Sequence, residues 1–346
     1  MTNSSLLLKR SIKSAASMFP FGLGFPRVTP GSVNIFAYHR IVRDIDLAER
    51  NSIYGIVISA DTFRKHCEML KRAFDVVSLD TATHFLERRR SVARPLAALT
   101  FDDGYLDLYD EAFPILNELA LPATVFLPSG YIGTGKALGH DRLFWLLKKA
   151  SKEPAMIAAA VGATGVEGFP EKLVRSLSLL DLTDKMVFLP DQKRERIICA
   201  LETALRFDSA AYPEEYQLLD WDRVREMSRR GISFGSHTVD HVVLPLESRE
   251  KASAEISESK AEIEDKLGKR ITSFAYPNGA YSSDVTRMVN EAGYSVAVTT
   301  ETRSNQSSSD PLTLGRVSLC EESTRGYRGK YSPAVAGLRL GVGSGG

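Results

Sequence analysis

Asp102 and Asp103 stand side by side in Thr-Phe-Asp-Asp-Gly, at the end of the apolar run LAALTF. Two ionised carboxylates there repel each other, so such a pair persists where a cation holds it or where a turn keeps it in water. The stretch GISFGSHTVDHVVL places His237 and His241 four residues apart, again at the end of an apolar run. One helical turn at a strand exit can point imidazoles at i and i+4 toward a single atom. Two ring nitrogens and one carboxylate oxygen, with positions left for water and substrate, suit a catalytic divalent metal. One Asp can then bind the cation while its neighbour, projecting differently, takes a proton from an attacking water. HxxxH alone is a weak pattern. Two acids at one strand end and two imidazoles at another make a sharper one.

These groups converge only if the strands carrying them run parallel. Short apolar runs alternate with helical patterns along the chain. VNIFAYH, LAALTF, PATVFLP, ISFGSH, ITSFAYP, YSVAVTT and LGRVSL read as strands. DTFRKHCEMLKRAF, YDEAFPILNEL, WDRVREMSRRG and SSDVTRMVNEAG read as helices, and Ser248 to Leu267 as a charged outer helix with a narrow stripe of Ile256, Ile263 and Leu267. Such alternation predicts parallel strands wrapped by helices, in an open sheet or a barrel. In both, the C-terminal ends of the strands share one face, which brings the two motifs together. Residues from about 135 to 220 break the rhythm with helical patterns and few strand signals, and are read as a helical insertion within one domain.

Composition narrows the classes of function. The 346 residues carry 44 Lys and Arg against 43 Asp and Glu, a net +1 that argues against nucleic acid as a partner. Cys67, Cys199 and Cys320 are widely spaced, with no CxxC, so neither a zinc cage nor a disulfide framework is indicated. No segment approaches the roughly 18 apolar residues of a transmembrane span. Residues 1–30 read as a leader: Leu6 to Leu8 is too short an apolar run for a secretory signal. Leu6, Leu7, Ile12, Ala15, Ala16 and Phe19 could line one face of a short basic helix, a possible peripheral membrane contact. The expected location is therefore cytoplasmic or membrane-peripheral. The tail at 321–346, ending GLRLGVGSGG, is expected to be disordered.

TFDDGY, SHTVDH and FAYPNG, in this order and spacing, resemble the polysaccharide deacetylase family, the NodB-homology carbohydrate esterases, over roughly residues 31–320 apart from the insertion. The resemblance implies a distorted (β/α) barrel with a helical insertion and metal-dependent removal of acetyl groups from N-acetylated sugars. It implies Asp102 as general base and Asp103, His237 and His241 as ligands of a divalent metal, Zn²⁺ first, with Co²⁺, Ni²⁺ or Fe²⁺ as alternatives. The backbone N–H of Asn278, after Pro277, would be the oxyanion donor, a role that tolerates side-chain change.

The sequence departs from the family's commoner pattern twice. Ala275 stands where many members carry the arginine that orients the base; Arg316, in LGRVSL, is the candidate to supply that guanidinium. No histidine follows His241, so the usual C-terminal general acid is missing. FAYHRIV instead resembles the branch, including poly-N-acetylglucosamine deacetylases, whose acid comes from an N-terminal Tyr-His strand, here His39. Tyr38, Tyr105, Tyr276 and Tyr281 are candidate sugar-stacking residues, and each could equally be core; Pro277 is a further candidate substrate contact. GYIGTGKA nearly fits a phosphate loop, but Ala137 fills the hydroxyl position, and it reads as a Gly-rich loop. His66 and His84 are read as packing or surface residues, and His140, just before DRLFWLL in the insertion, as structural, with a substrate contact as the less favoured alternative. Two rivals stay open: a catalytically silent carbohydrate-binding relative, and an amide hydrolase acting on a non-sugar substrate.

Overall fold

The computed structural model describes residues 31–53, 55–88 and 94–341. The leader at 1–30, and with it the membrane-contact helix, lies outside the described residues. The apolar runs form one eight-stranded parallel sheet: β1 (Val33–Tyr38), β4 (Asp75–Val76), β5 (Leu96–Phe101), β6 (Thr124–Leu127), β7 (Ser233–Ser236), β8 (Ser273–Ala275), β9 (Val296–Val298) and β10 (Val317–Ser318). Their order is β10-β1-β5-β6-β7-β8-β9, with β4 beside the start of β5, and β2 (Arg40–Val42) pairs with β3 (Val57–Ser59) apart from it. A parallel bridge from Val298 to Leu314 draws the two ends together and curls the sheet into a distorted barrel. Strands β1, β5 and β6 are buried along their whole length, as unbroken apolar runs in a helix-covered parallel sheet should be.

Register decides which residues meet at the mouth. β1 and β5 pair from Val33↔Leu96 to Tyr38↔Phe101, so the next residues, His39 and Asp102, emerge side by side. β6 and β7 pair up to Leu127↔Ser236, and His237 N–H continues the ladder to Leu127 O at 2.9 Å. β8 follows β7 through Ser236↔Phe274. The TFDDG, SHTVDH and AYPNG segments thus leave neighbouring strands on one face.

Within the crossover from β6 to β7, the insertion contributes the α-helices Gly139–Lys149, Pro154–Ala163, Glu171–Ser176, Leu179–Val187 and Asp191–Leu205, ahead of the barrel helix Trp221–Arg229. They enclose an apolar cluster of their own that includes Leu143, Leu147, Ile157, Val161, Met186 and Ile198. The C-terminal segment corrects the expectation of disorder. Residues 321–341 fold onto the barrel: Pro333–Leu340 is a helix capped by Ser332, and Leu340 joins the main core. The Glu321 carboxylate accepts from Ser59 N–H at 2.9 Å and from Thr62 Oγ1 at 2.9 Å, capping the helix Ala60–Ala73. Residues 342–346 lie outside the described part.

Candidate active site

Asp102 and Asp103 are both buried, at 3% and 2% exposure. They separate because Asp103 adopts a left-handed backbone, φ +70°, as does Gly104. A left-handed residue leaves the strand path, so its side chain does not simply alternate with its neighbour's, as a continuing pleat would require. A Cβ on Gly104 would sit 2.7 Å from Leu127 Cδ2, so glycine serves this turn in both conformation and space.

Arg316, immediately before β10, reaches past β1 to the end of β5. Its Nη1 and Nη2 donate to Asp102 Oδ1 and Oδ2 at 2.7 Å each, and its Nε donates to Thr299 O at 2.9 Å. This is the bidentate fork that fixes a carboxylate plane. Burial alone would raise the Asp102 pKa; Arg316, with His237 and His39 adding, overrides it and holds the carboxyl below the ordinary range. His39 Nε2 stands 3.8 Å from Asp102 Oδ2, with about a fifth of its side chain exposed.

On the other side, Asp103 Oδ1 lies 3.2 Å from His241 Nε2 and 3.7 Å from His237 Nε2. The ligand atoms of the three residues all lie within 4.8 Å of one another. His237 Nδ1 sits 2.7 Å from Ala275 O; a carbonyl only accepts, so Nδ1 carries the proton and Nε2 presents a lone pair. Burial depresses the pKa of both histidines, and they stand neutral as a metal requires. Burial opposes ionisation of the Asp103 carboxyl, and the neighbouring imidazoles, His241 first, pull its pKa well below the ordinary value when they carry a proton. Asp103 Oδ1 is buried with no hydrogen-bond partner, an orphan that a cation would satisfy. The donor set therefore fits a divalent metal.

Asn278 follows β8 with φ +55°, exposed at the mouth. Tyr276 N–H is used on Val298 O and Pro277 has no N–H, so Asn278 offers the first uncommitted backbone donor after the strand.

The buried sugar-stacking candidates are a correction. Tyr38, Tyr105 and Tyr276 are fully buried, and so is Pro277. Tyr38 packs on Phe63 and Phe101; Tyr276 donates its hydroxyl to Leu312 O at 2.9 Å, and Tyr105 to Asp141 Oδ2 at 2.8 Å. With ring and hydroxyl both satisfied inside the core, none has a face to offer a sugar. Tyr281, after AYPNG, is only half-buried, and its hydroxyl donates to Glu301 Oε1 at 2.9 Å. Tyr131 and Tyr212 line a cavity of about 440 Å³ between the Gly-rich loop, the insertion helices and Asp240 of the His237–His241 loop.

Glu255 was missed altogether. Its Oε2 accepts from Val239 N–H at 2.9 Å and Asp240 N–H at 2.8 Å, bracing the loop between the two histidines. The signal was there: Ala252, Glu255, Ile256, Ser259 and Ile263 are the buried positions of the helix Arg249–Leu267, so an acid sat in the register of the apolar stripe.

A parallel barrel that gathers an Asp-His-His set and a second, arginine-held carboxylate at one mouth is the architecture of a metal-dependent hydrolase. The chain belongs to the polysaccharide deacetylase family, whose sequence profile matches residues 89–167 and 189–297. Among its relatives, YxkH of Bacillus subtilis (strain 168), whose name places it among polysaccharide deacetylases, is 20% identical over 273 residues. That match spans 79% of this chain and 66% of the relative's length. The poly-β-1,6-N-acetyl-D-glucosamine N-deacetylase of Staphylococcus epidermidis is 25% identical over 224 residues, 60% of this chain and 73% of that protein. The solved structure of the Streptococcus pyogenes deacetylase PplD in complex with acetate shares the fold, with a TM-score of 0.56 and 18% identity over 88% of this chain and all of that one. His39 and Arg316 lie outside the segments that match the family profile. Among the described residues no helix is long and apolar enough to cross a membrane.

Proposed function

We propose that this protein removes acetyl groups from the N-acetylated sugars of a polysaccharide, oligosaccharide or glycolipid, with Asp103, His237 and His241 holding a divalent metal, Zn²⁺ first. The observation that carries the reading is the division between the two carboxylates: Asp103 with an unpartnered oxygen among two neutral imidazoles, and Asp102 fixed by Arg316. The metal, when bound, supplies a Lewis acid for the acetyl carbonyl and lowers the pKa of water. Asp102 takes the proton of the attacking water, its plane set by the Arg316 fork. Asn278 N–H donates to the developing oxyanion. A protonated His39, 3.8 Å from Asp102, donates to the leaving amine, which would otherwise depart as a poor anion.

The cavity beside Asp240 is of a size for sugar units next to the one being cleaved, with Tyr131 and Tyr212 among its walls. The silent-relative reading drew its support from Ala275; a guanidinium from Arg316 on Asp102 answers that objection and favours the enzyme. Free-amine release from N-acetylglucosamine oligomers tests the proposal, with Zn²⁺ or Co²⁺ added and with a chelator. Release that depends on the metal is expected. Oligomer binding by the metal-loaded protein with no amine formed would refute it.

A further inference from the structure

The two histidine ligands are supported differently. His237 is tied by Nδ1–H to Ala275 O. Among the described residues no hydrogen bond from His241 Nδ1 is found, and His241 also sits on a left-handed backbone at φ +52°. Its ring lies between two others: His237 at 4.7 Å and 76°, and His140 at 5.0 Å and 62° between planes.

We propose that His140 is a positioning residue for His241, holding that ligand's ring toward Asp103 from the first turn of the insertion. The inference rests on the metal-site reading above. His140 is itself locked. Its Nε2 lies 3.0 Å from Tyr105 Oη, and Tyr105 gives its single proton to Asp141 Oδ2 at 2.8 Å. Tyr105 oxygen is then left to accept from His140 Nε2–H. Asp141 Oδ1 stands 3.8 Å from the same nitrogen, and Asp141 is completely buried. The Arg40 guanidinium lies 5.1 Å over the Tyr105 ring, anchored by Asp107 and Ser52.

The chain Asp141–Tyr105–His140–His241 therefore runs from the insertion to the metal loop, and Tyr105 follows the ligand Asp103 by two residues. A buried carboxylate is costly in a helix that only packs. Here it orders a tyrosine that orders a histidine, and that ring replaces the hydrogen bond His241 lacks. Outer partners of this kind set how tightly a site holds its metal.

The test is metal affinity, not turnover. Zn²⁺ dissociation constants are measured by competition with a chromophoric chelator, and Co²⁺ absorption spectra are recorded, for the parent, His140→Ala, His140→Phe and Tyr105→Phe. Thermal unfolding of the metal-free proteins checks that each is folded. His140→Ala should weaken Zn²⁺ about tenfold to a hundredfold and alter the Co²⁺ spectrum. His140→Phe, which keeps a ring against His241, should fall between it and the parent. Tyr105→Phe, the loss of one hydroxyl, should weaken binding in the same direction and decides the matter if His140→Ala does not fold. Parent-like affinity and spectrum in the folded variants would overturn the inference, even if KM for the oligomer rose, since that would make His140 a substrate contact. A parent that binds no divalent metal would bring down the site reading as well, so the two failures are distinct.

Discussion

Replacing Arg316 by methionine removes a guanidinium with no exposure to solvent and four hydrogen bonds, two to Asp102, one to Thr299 O and a longer one of 3.3 Å to Thr100 Oγ1. Asp102 is left 97% enclosed with its counter-charge gone. Breaking one partner out of a buried pair costs about 3–5 kcal/mol, because the surviving charge has no compensation. Burial, now less opposed, also drives the Asp102 pKa upward and weakens its hold on the ionised form. Urea unfolding of the metal-free protein should show the loss of about 3–5 kcal/mol in Arg316→Met. The double variant Arg316→Met with Asp102→Asn should regain more than half of it, since no buried charge remains. Turnover should fall by about a hundredfold or more in both, the usual worth of a general base in place. Arg316→Lys should lie between, because a single ammonium cannot serve both carboxylate oxygens and Thr299 O in that fork geometry. If Arg316→Met cost less than about 1 kcal/mol, the value of an exposed pair, and kept its turnover, Arg316 would not be what orients Asp102.

Asp102→Asn should cut amine release by about a hundredfold or more while Zn²⁺ affinity stays near the parent's, and Asp103→Asn should lose both; loss of metal in Asp102→Asn would make it a ligand. His39→Ala should slow N-acetyl hydrolysis by about a hundredfold but spare an acetyl ester of an acidic phenol, which needs no proton to leave; equal losses on the two substrates would contradict the acid role. His66 is fully buried, 3.4 Å from Tyr38 Oη and 3.2 Å from Thr324 Oγ1, and burial pushes its pKa down to about 3. The unfolded chain takes up that proton below about pH 6.5 and the native protein does not until about 3, so this stability is full above 6.5 and is lost as pH falls. The loss reaches about 2 kcal/mol at pH 5. Urea unfolding at pH 7 and pH 5 should show His66→Phe losing about that much less than the parent, and equal losses would show that His66 is not what the acid titrates.

Much of the site was legible because its groups stand at strand ends, where a short motif fixes both residue type and direction. Asp102, Asp103, His237 and His241 needed only the inference that their strands run parallel. His39 needed the parallel pairing of β1 with β5, and asking which guanidinium could serve where Ala275 has none pointed to Arg316, which lies on Asp102. The errors fall where only packing decides. An aromatic beside a motif suits a sugar platform or a core equally well in sequence, and Tyr38, Tyr105 and Tyr276 turned out to be core. A glycine-rich ending hid the helix Pro333–Leu340, whose order comes from burying Leu340 and not from its own propensity. The reading of YDEAFPILNEL as helical through Pro114 holds: a wider turn at Leu108–Ala112, closed by Phe113 N–H on Leu108 O, leads directly into Phe113–Leu119, and the run does not break at the proline.

The deepest omission is of strain. Six described residues other than glycine have a left-handed backbone, and four of them, Asp103, Thr238, His241 and Asn278, lie in the three motif segments. Each such residue costs on the order of 1 kcal/mol or more; aspartate, asparagine and histidine are merely enriched there, and threonine as a residue type gives no warning of it. The cost is sustained by groups distant in sequence: Glu255 on the loop of Thr238 and His241, Ala275 O on His237, Arg316 on Asp102 immediately before Asp103 in the chain, and the insertion's His140 against His241. Motifs therefore marked the residues that converge at the mouth, while the charges and rings that hold their strained backbone in place came from segments that carry no motif. The insertion belongs to this second group. It supplies a wall of the cavity and sets the His140 ring against His241, so it packs onto the mouth and is not an appendage to the barrel.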